Sequence, residues 1–142
     1  MSNQSDTRVG AFPVPAGEDL TGKEGRLVVL THDAGVAEVK LPAADSDFAL
    51  YLLTDGGADT EPVTVQPLDV SRNARVTLKG TCNPGDALVL ADAATAADAG
   101  KVRALPAAGG TYRVIAVAEE KGVDGQAVLV RPSSLGNVTV GE

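Results

Sequence analysis

Among its 142 residues the chain has one cysteine, one histidine, no tryptophan, two phenylalanines and two tyrosines. These scarcities remove whole classes of function. A lone thiol, Cys82, excludes an internal disulfide, and without a Cys/His cluster it cannot seed a zinc site. Basic residues are also few: 12 Lys and Arg face 19 Asp and Glu, a net charge of −7 with a pI near 4.6. A surface that grips phosphate backbones needs clustered Lys and Arg, so nucleic acid is not an expected partner. Acidity favours solubility and a basic protein surface as docking site. No apolar run approaches the length of a membrane span, and Met1-Ser2-Asn3-Gln4-Ser5-Asp6 has neither a basic start nor an apolar stretch. Neither a membrane partner nor a signal peptide is expected, and synthesis in the cytoplasm follows.

What is present is Ala, Val and Leu in quantity, within an apolar content of 44%. Such a core packs thin layers of small side chains, and each residue buries less area than an aromatic anchor would. Self-association would help a chain built this way. The length suits one domain, with or without an ordered arm, and argues against two independent cores.

Residues 1–22 read as an extended N-terminal arm. Pro13 and Pro15 flank Val14, hold the backbone extended and remove amide donors, while the scattered Val9, Phe12, Val14 and Leu20 form no face of useful length. An aromatic there, Phe12, either staples the arm to the body or inserts into a partner.

Residues 23–142 read as one β-rich domain. The run 26–30 is continuously apolar, as in a strand buried on both faces. Alternation marks 37–41 and 74–79, and further short strands are expected at 48–53, 63–65, 86–90, 101–105, 110–117, 125–131 and 138–140. Strands at roughly 8 to 12 residue spacing indicate a small antiparallel β-sandwich or barrel with long loops. The alanine-rich stretch 91–100 is too short and too small in side chain to dock as a helix, and is expected to be a hairpin loop with at most one helical turn.

No catalytic set emerges. His32, Asp33 and Cys82 could in principle form a base, an orienter and a nucleophile, but neighbouring residues of an extended chain point apart, and Thr31-His32-Asp33-Ala34-Gly35 reads as a turn. The carboxylate pairs Asp45/Asp47, Asp55/Asp59, Asp92/Asp98 and Glu119/Glu120 sit in loops too sparse for a calcium cage. Gly56-Gly57 and Gly109-Gly110 lack the Lys-Ser/Thr of a phosphate loop. Arg72, Arg75, Lys79, Lys101 and Arg103 fall on the solvent faces of strands. The expectation is a protein without catalysis, cofactor or metal.

Several segments together resemble the tailed-bacteriophage head decoration, or capsid cement, proteins. They are the Pro-rich start Phe12-Pro13-Val14-Pro15-Ala16-Gly17-Glu18-Asp19-Leu20, the strand at 25–30, Asn83-Pro84-Gly85-Asp86-Ala87-Leu88-Val89-Leu90 with the trailing 100–102, and the closing pair 110–119 and 125–130. The resemblance implies a β-rich homotrimer on the outer surface of the virion capsid that clamps neighbouring major capsid subunits of the expanded shell. It implies contacts to capsid or neighbouring protomer through the arm, at Arg8, Val9, Phe12, Val14 and Leu20. The alternative is a carbohydrate- or ligand-binding β module of a viral fibre or adhesin, for which Tyr51 and Tyr112 are the available stacking residues.

Overall fold

The computed structural model describes residues 10–141. Its ten strands are β1 Phe12–Pro15, β2 Leu27–Asp33, β3 Val36–Lys40, β4 Tyr51–Asp55, β5 Pro62–Pro67, β6 Ala74–Thr77, β7 Ala87–Leu90, β8 Val102–Ala104, β9 Gly110–Ala118 and β10 Ala127–Val140. They form two five-stranded sheets, ordered β1-β5-β4-β2-β3 and β6-β10-β9-β7-β8, with antiparallel pairing between all neighbours. The all-β antiparallel fold expected from the sequence is therefore present. Each sheet curls until its edges meet: a bridge from Ala16 to Val39 brings β1 to β3, and one from Leu78 to Val102 brings the end of β6 to β8. Curling protects edges that would otherwise template aggregation.

The described N-terminal residues are not a separate arm. β1 pairs with β5 from Phe12↔Val65 to Pro15↔Pro62, and Val14, Ala16 and Leu20 are buried. The prolines fit because β1 is an edge strand. Ala16 N–H donates to Glu61, which turns the amides of the even-numbered positions toward β5 and leaves the Pro13 and Pro15 nitrogens on the open side. β1 belongs to the first sheet.

Burial resolves into two apolar clusters that share strands. Inside the first sheet lie Val14, Leu20, Val28, Val39, Leu53, Val63 and Val65. The second sheet encloses Val76, Leu78, Cys82, Leu88, Leu90, Val102 and Val128, and Leu27, Ala49 and Leu52 of the first half join them. Successive residues of a strand point to opposite faces, so Leu27 and Val28 serve different cores, as do Leu52 and Leu53. The two cores lie on the two sides of one wall and are not independent.

A turn used three times sets these strands. In Lys23-Glu24-Gly25-Arg26, Asn83-Pro84-Gly85-Asp86 and Val123-Asp124-Gly125-Gln126, the fourth residue donates to the first carbonyl at 3.2, 3.1 and 3.1 Å. The glycines have φ of 87°, 89° and 83°, the left-handed third position of a type II turn, with Pro84 at the favoured second position. Each glycine N–H donates to one residue of a neighbouring segment, Leu53, Ala118 or Leu78, whose own N–H returns a bond to the residue after the glycine. Two of the three units interlock. Residues 78–90 and 118–130 are offset by forty positions, and the outgoing strand of each pairs with the incoming strand of the other.

The alanine-rich stretch is a hairpin loop between β7 and β8, as expected, with one i→i+4 bond from Ala99 N–H to Thr95. Asp92 accepts from Ala94 N–H and the Thr95 hydroxyl. The loop packs against the first sheet: the Arg26 guanidinium donates to the carbonyls of Ala96 and Ala99, and Leu27 N–H donates to Gly100 at 2.7 Å.

Candidate interaction surface

The sequence-predicted arm residues separate by depth. Val14 and Leu20 are buried in the first core. Phe12 is partly buried, with its ring edge-on to Tyr51 at 5.9 Å between centroids. The ring contact with Tyr51 fastens it to the first sheet. Arg8 and Val9 lie outside the described residues.

The residues weighed for catalysis are set apart. His32 is exposed near the tip of the β2–β3 hairpin, where its Nδ1 accepts from Gly35 N–H at 2.9 Å. Cys82 is buried in the second core, and burial pushes its thiol above the usual range, so it is a poor source of thiolate. No described buried position carries a polar or charged side chain. Among the described residues no group of three or more His, Cys, Asp or Glu is placed to hold a metal ion, and no helix is long and apolar enough to cross a membrane.

Carboxylates serve the loops. Asp124 accepts from Gly80 N–H across the two interlocked turns, and that bond holds its carboxyl below the ordinary range. Glu120 accepts from Leu129 N–H and from Arg75 at 2.9 Å, and both lower it, the backbone donor more. Thr21 lowers Asp19 and the Ser71 amide lowers Asp69 in the same way.

The exposed apolar side chains mark a surface that sequence reading did not find. Phe48 (60% exposed), Leu50 (48%) and Val70 (65%) border an open groove of about 330 Å³ whose walls include Leu68, Val114 and Pro132. Arg113 stands 4.2 Å from the centre of the Phe48 ring and donates from Nε to the Ser46 carbonyl. A second recess shares Leu68 and Pro132 with the first and adds Arg72. Arg72 lies near Asp69, whose carboxyl its charge helps hold down, whereas Arg113 makes no ion pair with a carboxylate among the described residues, in a chain of net charge −7. The signal available in the sequence was Phe48 and Leu50 flanking Ala49, read there as one strand. The observed strand starts only at Tyr51, and residues 48–50 lie outside it, with Ala49 alone turned inward.

Register places this groove beside the β2–β3 hairpin. Tyr51 pairs with Val28 on one side and Pro67 on the other, so Leu50, Leu68 and the hairpin all leave the first sheet at the same end. Beyond Val28 the hairpin has no pairing to β4, and residues 32–37 are exposed. It carries Leu30 (42% exposed) and Val36 (65%).

No protein-family profile matches the chain, and no curated protein matches it. Its structure is similar to the crystal structure of the head fiber gp8.5 N base in bacteriophage phi29, with a TM-score of 0.64 and 18% identity, over 87% of this chain and 92% of that one. At that identity the likeness is one of fold.

Proposed function

We propose that this protein is a structural component of a tailed-phage head, a decoration protein that docks as a homotrimer on the outer surface of the expanded capsid. The observation that carries this reading is the fold shared with a head fiber base along almost the whole of both chains. The interior is consistent with it, since the described core is spent on packed Ala, Val and Leu with no buried polar group held for chemistry. The reading assigns the protein no catalysis and no cofactor, and gives it neither nucleic acid nor membrane as partner.

In this role the major capsid protein is the partner. Each copy supplies a modest contact, and tying three copies together raises the effective concentration of the second and third contacts. The contacts fall to exposed side chains and not to Val14 or Leu20. The test is co-sedimentation of the purified protein with expanded phage heads stripped of their own decoration. Saturable binding that makes the heads more resistant to heat is the expected result, and heads that sediment without the protein would defeat the reading.

A second reading follows from a polar recess of about 300 Å³ lined by Asp45, Ser46, Tyr112, Arg113 and Asn137. Its mix of donors, acceptors and one aromatic ring suits a saccharide, as in a fibre or adhesin module. Titration with simple sugars, followed by tyrosine fluorescence, separates the two: millimolar binding that Tyr112→Ala abolishes favours the module.

A further inference from the structure

We infer that the end of the first sheet bearing the groove is an interface between copies of this chain, with the β2–β3 hairpin of one copy seated in the Phe48–Leu50–Val70 groove of the next. The inference rests on the oligomeric reading above and names the surfaces that would make it.

Shape is the first argument. Leu30 pairs with Val39 and shares its face of the hairpin, whereas Val36 pairs with Asp33 on the other face. The hairpin thus leaves an apolar side chain wet on each face. A two-stranded ribbon gains little stability alone in water, so its projecting part profits from a surface to lie against. The groove is concave and apolar, open to solvent, and sized for side chains. Five of the six exposed large apolar residues, Leu30, Val36, Phe48, Leu50 and Val70, belong to segments leaving this one end. Such concentration on a soluble chain marks a contact surface.

Charge is the second argument. Two copies at −7 each repel unless opposite charges meet locally. The groove offers Arg113 without an ion-paired carboxylate, and the hairpin tip offers Asp33, which has no side-chain partner among the described residues. Another copy's hairpin therefore brings the charge the groove lacks.

Geometry decides the kind of contact. The hairpin and groove are different surfaces lying side by side at one end, so the contact is heterologous. A copy that fills its neighbour's groove still presents its own groove to another hairpin. Repeated about an axis at that end, the contact closes into a small ring.

Sedimentation equilibrium of the full chain tests this. Wild type is expected as a closed oligomer. Leu50→Glu/Val70→Glu, which spoils the groove, and Leu30→Glu/Val36→Glu, which spoils the hairpin, are each expected as monomers with an unchanged far-ultraviolet spectrum. An equimolar mixture of the two keeps one good hairpin and one good groove, and is expected to give a two-chain species and nothing larger. Asp33→Arg and Arg113→Asp should each weaken assembly about tenfold, and one chain carrying both should recover it. A monomeric wild type, variants that assemble normally, or a mixture that stays monomeric would overturn the contact. Binding to heads is measured separately, so loss of the decoration reading and loss of this contact are told apart.

Discussion

Cys82 and Gly122 face each other across the interlocked turns and exchange both backbone hydrogen bonds, Cys82 N–H to Gly122 at 3.2 Å and Gly122 N–H to Cys82 at 3.0 Å. They are equivalent positions of the two units offset by forty residues. A Cβ on Gly122 would come within 2.8 Å of Leu78 Cδ2, 3.1 Å of Val128 Cγ2 and 3.2 Å of Cys82 Sγ. One position of the pair can carry a side chain because the other carries none.

Gly122→Ala is therefore expected to destabilise the protein by about 1–3 kcal/mol, the cost of overpacking a closed core. Chemical denaturation checks it. Adding Cys82→Ala should give back part of the loss, and strict additivity of the two changes would show that the sites do not share the space.

The β2–β3 hairpin turns at Ala34 and Gly35, with φ of 49° and 86°, a two-residue turn of type I′. Alanine is a poor occupant of the left-handed region, where asparagine is favoured. Ala34→Asn should raise stability by about 0.5–1 kcal/mol, read as a higher denaturation midpoint with an unchanged slope. No change, or a loss, would mean that the turn relaxes to another geometry.

Arg26 reaches from the first half of the chain to cap Ala96 and Ala99 in the second. Arg26→Ala should cost about 1–2 kcal/mol and raise amide exchange and protease cleavage within 91–100 before the sheets are affected. Exchange that rises evenly over the whole chain would contradict a local docking role.

Leu20 has no exposed surface and lies in the first core. Leu20→Ala should cost about 2–5 kcal/mol, and deletion of residues 1–20 should abolish cooperative unfolding, since it removes β1 and three buried side chains. A truncated chain that melts like the full one would refute the place of β1 in the sheet.

Four carboxyls, Asp19, Asp69, Glu120 and Asp124, are held below their ordinary range by hydrogen bonds in the folded state. A depressed carboxyl adds stability above its unfolded pKa, and that stability is lost as pH falls through the folded value. The melting temperature should thus be flat near neutrality and drop once pH enters the carboxylate range. In Glu120→Gln and Asp124→Asn the drop should be shallower.

The strands were legible because their signals are local. Alternation at 74–79 and the Pro-Gly turn before Ala87 announce themselves within a few residues, and β6 and β7 follow. Phe12–Pro15 was misread because two prolines weigh against a strand unless one side of it is unpaired, and only the finished sheet shows which side that is. The shared cores were hidden in a run that sequence reading had marked as buried on both faces: Leu27 and Val28 are so buried, while Val29 is partly covered and Leu30 exposed. The repeated turn was visible in the sequence as Gly25, Gly85 and Gly125, each one or two residues ahead of an apolar run. The groove left only the local trace of Phe48 and Leu50 around Ala49, because its other walls, Val70 and Pro132, come from distant segments.

The wall held in common by Leu27, Val28, Leu52 and Leu53 makes the two halves inseparable property. A fragment ending near residue 70 would inherit Leu27, Ala49 and Leu52 as a raw oily flank, and its complement would be left with an unroofed interior. Neither piece can be grafted or inherited alone, so shuffling can move this chain only whole.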